Sequence, residues 1–103
     1  MTVTVRLVEP GDENGWAELY AAYRSFYRLP DDPAAVAKTW KWVRDGEHGI
    51  VGLVAIDDDD APVALANLRW FARPSSATIG LYVDDLFTVP AARGRGAASA
   101  LLE

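Results

Sequence analysis

The sequence predicts an α/β (α+β) domain with a mainly antiparallel sheet, its elements in the order β-α-α-β-β-β-α. Three observations carry that expectation. Residues 2–8, 49–56, 63–71 and 78–88 have β character, by alternation or by runs of β-branched and aromatic side chains. Two segments between the first and second of these repeat apolar residues at helical spacing. Proline and glycine punctuate the joints.

In the first strand Val3, Val5 and Leu7 share a face opposite Thr4 and Arg6, and Pro10-Gly11 closes it. Asp12 is the expected cap of the next helix, where Trp16, Leu19, Tyr20, Tyr23 and Tyr27 recur at helical spacing. That helix should end near Leu29-Pro30, because the residue before a proline resists the α conformation. Asp32-Pro33 starts a second helix, with a carboxylate at the cap and proline at the first position. Val36, Trp40 and Val43 share its face, and Gly46 stops it. Residues 49–56 and 63–71 then form a hairpin whose long loop holds the acidic run 57–60 and Pro62; a solvated turn is the expected role of that run. The third run, 78–88, lies between Pro74-Ser75-Ser76 and Pro90. From Gly94 onward Ala, Ser and Leu favour a helix whose apolar face (Ala97, Ala100, Leu101) is expected to stand uncovered.

With 103 residues, half of them apolar, the chain suits one domain, 1–103, with a packed core. It has no cysteine, which excludes disulfides and thiolate metal sites and fits a cytoplasmic location. No apolar run reaches the roughly 20 residues of a membrane span, and the alternating start reads as a strand and not a signal peptide. The net charge of −5 argues against a nucleic-acid surface and leaves room for a cationic or amine substrate. The single histidine, His48, lies between glycines and is expected in an exposed loop; no metal site is expected.

The most informative stretch runs from Leu86 through Arg93, Gly94, Arg95 and Gly96 to Ser99. A strand ends, a glycine-rich turn follows and a helix begins. The first N–H groups of a helix lack partners and its dipole is positive there, so such a terminus binds phosphate. Gly94 and Gly96 allow backbone to approach an anion, Ala98 keeps a third position small, and Arg93 and Arg95 add positive charge. A P-loop needs Lys followed by Ser or Thr after its last glycine, where Ala97 and Ala98 stand; a dinucleotide fingerprint needs a third glycine, where Ser99 stands. A plain glycine-rich strand–helix turn is the alternative to a phosphate site.

Arg93, Gly96 and Ala98, in the pattern Arg-x-x-Gly-x-Gly/Ala, resemble the signature of the GNAT superfamily of acetyl-CoA-dependent N-acetyltransferases. The preceding Asp84-Asp85-Leu86-Phe87-Thr88-x-Pro90 resembles that superfamily's fourth strand. Tyr82-x-Asp84-Asp85 is most similar to its diamine and polyamine acetyltransferases and their histone-acetyltransferase-like bacterial relatives. The element order resembles the N-terminal part of the acyl-CoA N-acyltransferase fold.

The resemblance implies acetyl transfer from acetyl-CoA, as co-substrate, to a primary amine (a small amine or a lysine-like acceptor) by direct attack in a ternary complex. It implies that the backbone of Leu86, Phe87 and Thr88 meets the acetyl and pantetheine groups. The amides of Gly94, Arg95, Gly96, Ala97, Ala98 and Ser99 would cradle the pyrophosphate, with Arg93 anchoring the loop. Asp84 falls where relatives carry a proton-relaying glutamate; it is about 1.5 Å shorter in reach, and a polar residue at a strand bulge is its alternative role. Asp85 is expected to orient the loop. The family continues with a fifth strand, a helix and a hairpin, so the domain is expected to be C-terminally incomplete. Tyr20, Tyr23, Tyr27 and Tyr82 do not match the family's general acid. Trp16, Trp40, Trp42 and Trp70 are expected in the core, with Trp40 and Trp42 as candidates for the acceptor cleft wall. The other readings are a non-catalytic CoA-binding or interaction module, and a fragment that pairs with a second chain, as in a homodimer. No nucleic-acid or membrane partner is expected.

Overall fold

The computed structural model describes residues 3–90 and Leu101. Its elements are β1 (Thr4–Leu7), α1 (Glu13–Phe26), α2 (Pro33–Asp45), β2 (Ile50–Ile56), β3 (Pro62–Arg73) and β4 (Thr78–Thr88). The strands form one antiparallel sheet in the order β1-β2-β3-β4. Among the described residues this is the α/β arrangement expected for the N-terminal part of the acyltransferase fold. No helix of the described residues is long and apolar enough to cross a membrane.

Local chemistry sets the helix ends. Asp32 accepts a hydrogen bond from the Ala35 N–H at 3.0 Å, and Gly46, at φ +68°, returns its N–H to the Trp42 carbonyl. Asp12 departs from expectation. Its side chain does not cap α1; it accepts the Glu9 N–H at 2.7 Å and closes a short 3-10 turn at Pro10–Asp12. Arg6, also on Asp12 at 2.7 and 2.9 Å, fixes the carboxylate on the strand side of that turn. Helix α1 ends at Phe26, before Leu29. Arg28 adopts φ +58°, and the Arg28 and Leu29 N–H groups bond the Ser25 and Arg24 carbonyls. This is the left-handed C-terminal motif usually made with glycine. The acidic run is a turn: one Asp57 oxygen accepts the N–H groups of Asp59 and Ala61, each at 2.9 Å.

Both helices cover one face of the sheet. Trp16, Leu19 and Tyr20 of α1 and Trp40 and Val43 of α2 pack with Val54, Leu65 and Phe87. The opposite face gathers Ala55, Val63, Ala64, Ala66 and Leu68 around Leu101. Residues 63–68 of β3 are therefore buried on both sides, which explains their nearly unbroken apolar run. Leu101 is helical and 3% exposed, so this side chain is covered by the sheet, contrary to the bare face expected there. Ala97 and Ala100 lie outside the described residues.

Candidate functional site

Consecutive strand residues normally point to opposite faces. Between β3 and β4 that rule is broken once. Asn67 pairs with Asp85 while Leu68 pairs with Val83, so Asp84 is the extra residue of a β-bulge. The bulge brings Asp84 and Asp85 to the same cavity, on the helix-covered face. Its volume is about 510 Å³, in the range of small-ligand sites. Tyr20 of α1, Trp42 and Val43 of α2, and Ile50 of β2 supply its walls. His48 lies at its rim, held at φ +58° with its ring edge-on to Trp42 at 5.0 Å. Trp42 is thus the tryptophan that lines the cleft, whereas Trp40 is buried in the core.

The two carboxylates have different partners. Arg69, across the sheet on β3, grips both oxygens of Asp84, with Nε–Oδ2 at 2.7 Å and Nη2–Oδ1 at 2.8 Å. The Asp84 hydrogen bond and charge raise the Arg69 guanidinium above its already high range. Arg69 also stacks over Tyr82, 5.3 Å from the ring centroid. Asp85 instead meets neutral donors. The Asn67 amide donates to its Oδ2 at 3.0 Å, and the Tyr20 and Tyr23 hydroxyls face it. Burial first, and then the Asp85 carboxylate, push both phenols above the usual tyrosine range.

Of the residues singled out in the sequence, Asp84 is placed in the cavity. Leu86, Phe87 and Thr88 end β4, the last strand of the sheet among the described residues, with Phe87 in the core beside Tyr23 and Phe26. Arg93, Gly94, Arg95, Gly96, Ala97, Ala98 and Ser99 lie outside the described residues. Asn67 and Arg69 were not singled out. Asn67 had a signal, as the one polar residue in the apolar run 63–68; the role of Arg69 depends on strand pairing that sequence does not display. Among the described residues no group of three His, Cys, Asp or Glu side chains could hold a metal ion.

A family model described as the acetyltransferase (GNAT) family matches residues 16–103. Solved structures similar to the chain share its fold. One is a ribosomal-protein-alanine N-acetyltransferase from Brucella melitensis biovar Abortus, 22% identical, with a TM-score of 0.79 over 99% of this chain and 67% of that one. Another is AAC(6')-Iy in complex with the bisubstrate analog CoA-S-monomethyl-acetylneamine, 16% identical, with a TM-score of 0.78 over 99% and 67%. A third is a GNAT family acetyltransferase from Staphylococcus aureus, 16% identical, with a TM-score of 0.77 over 99% and 73%. The chain spans about two thirds of the length of the first two. No curated protein is a significant sequence match.

Proposed function

The chain belongs to the GNAT acetyltransferase family, and on that premise we propose that it transfers an acetyl group from acetyl-CoA to a primary amine held in the cavity beneath α1 and α2. One observation carries the reading: the β4 bulge turns two carboxylates into a ligand-sized cavity, the second of them three residues before the end of the strand that leads to the glycine-rich loop.

The roles follow from the chemistry. A protonated amine cannot attack a thioester, so a base must take its proton. In this reading a water relays that proton to Asp84, whose orientation Arg69 fixes. The amine nitrogen bonds to the thioester carbonyl carbon and gives up a second proton to solvent, the carbon–sulfur bond breaks, and CoA leaves as a thiolate that takes a proton from solvent. A backbone N–H among Leu86, Phe87 and Thr88 stabilises the negative charge that builds on the thioester oxygen. The amides of residues 94–99, with Arg93 anchoring their loop, hold the pyrophosphate.

The experiment is calorimetric titration with acetyl-CoA, followed by thiol-release assays across primary amines. The reading expects binding and turnover, and expects Asp84→Asn to lower kcat by about 10²-fold without weakening acetyl-CoA. Absence of CoA binding overturns it. The grip of Arg69 on both Asp84 oxygens favours a second reading, CoA binding without catalysis. Binding with no turnover for any amine would select it.

A further inference from the structure

The geometry points to Asp85, with Asn67 behind it, as the anchor for the ammonium group of a monoamine with an apolar stem. This rests on the reading of the cavity as the acceptor site and names what that site selects. The charges in the cavity do not cancel. Asp84 is matched by Arg69, whereas Asp85 has no cationic partner among the described residues. Arg24, the other cation near Tyr20, donates instead to the Pro30 carbonyl at 3.1 Å. A half-buried carboxylate among neutral donors leaves a negative potential that an ammonium ion complements.

Asn67 supplies an independent sign that a donor is missing. It is 2% exposed, lines the same cavity, and its Oδ1 has no hydrogen-bond partner among the described residues. The amide orientation is fixed, because only Nδ2 can donate to Asp85. Asp85 thus has neutral partners only, and the amide beside it keeps an enclosed, unpaired oxygen where buried acceptors are normally satisfied. A primary ammonium brings three N–H donors to this end of the cavity. A hydroxyl brings one donor and no charge.

The walls select the remainder of the molecule. Trp42, Val43 and Ile50 offer apolar surface for a carbon stem. The remaining carboxylate of the lining, Asp84, is already neutralised by Arg69, so a second ammonium on the ligand would lose water with no unmatched charge to receive it. A monoamine is therefore preferred over a diamine of equal length. Asp85 and Asn67 are positioning residues in this scheme; neither exchanges a proton with the acceptor.

The test uses the full chain labelled with ¹⁵N. 2-Phenylethylammonium, its alcohol isostere 2-phenylethanol, butylammonium and 1,4-diaminobutane are titrated while the Asn67 side-chain amide is followed by NMR. The expected result is that the two monoamines shift that signal, with the alcohol and the diamine at least about tenfold weaker, the scale of one charged hydrogen bond. Asp85→Asn, read on the same signal, and Asn67→Leu, read on the indole N–H of Trp42 in the cavity wall, with folding checked by circular dichroism, should each weaken the monoamines by a similar factor. In turnover, Asp85→Asn should raise the amine KM and leave the acetyl-CoA KM unchanged. Equal binding of amine and alcohol by the unmutated chain overturns the inference, whatever the variants do. Turnover with an unchanged amine KM in Asp85→Asn overturns it while sparing the acetyltransferase reading. Selective amine binding without any turnover does the reverse.

Discussion

Asp12 accepts two hydrogen bonds from Arg6 and one from the Glu9 N–H, and its side chain is only 16% exposed. The Arg6 hydrogen bond is the chief reason its carboxyl is held below the usual range. A carboxyl depressed on folding contributes stability that is complete above its unfolded pKa, about 3.9. That contribution is lost as the pH falls through the lower folded value. Asp12→Asn should therefore cost about 1 kcal/mol at pH 7, after allowance for the half-open Arg6 side. The difference should narrow below pH 4 in urea unfolding; a gap independent of pH would refute the assignment. Arg28 gives a prediction of opposite sign. Its φ of +58° is a conformation that costs an L residue about 1 kcal/mol and costs glycine little. Arg28→Gly should raise stability by roughly that amount, read as a higher urea midpoint, and an unchanged midpoint would show that the Arg28 side chain contributes as much as the strain it carries.

At the scale of elements, α2 lies close on β2 because Gly52 leaves room. A Cβ at Gly52 would overlap Cγ1 of Val43 and come within 3.3 Å of both methyls of Val8. Gly52→Ala should cost about 1–3 kcal/mol, as overpacking does, and should also perturb the cavity that Val43 lines. Thermal melts and the same NMR titration would report the two effects, and a stable variant with unchanged spectra would count against close docking. How far each element was legible depended on whether its cause was local. Helix α2 was fully legible because Asp32, Pro33 and Gly46 act within a turn of its ends. Strand β4 was legible at Thr78–Thr88 because turn residues and Pro90 bracket it. The end of α1 was not, since a non-glycine residue took the left-handed position. The bulge at Asp84 was foreseen only as an alternative, because it is a property of pairing with β3 and not of the β4 sequence. The same long-range pairing hid the site's main division, Arg69 on Asp84 and Asn67 on Asp85.

For the whole molecule, the two faces of the sheet end differently. The helix-covered face closes over the cavity, where Arg69 and Tyr82 stack. On the other face the covering by described residues stops near Leu68 and Leu101, while the β3–β4 arm continues. Alternation and register put Trp70, Ile79, Leu81 and Val83 on that face, in line with Leu68, and they are 57%, 63%, 43% and 40% exposed. Four such side chains expose roughly 300–400 Å² per chain, the size of the largest patch on a typical monomer. Two copies meeting there would bury ~700 Å², short of the ~1,200 Å² that stable interfaces need. Weak self-association is the expected outcome, with β4, the edge strand among the described residues, free to extend the contact. Sedimentation should show monomer at micromolar concentration and a growing dimer fraction toward millimolar. Ile79→Lys, a charge at the most exposed of the four, should abolish the dimer and leave the urea midpoint within about 0.5 kcal/mol. A dimer that survives this substitution would place the contact elsewhere, and a monomer at every concentration would show that the patch does not seat a second copy.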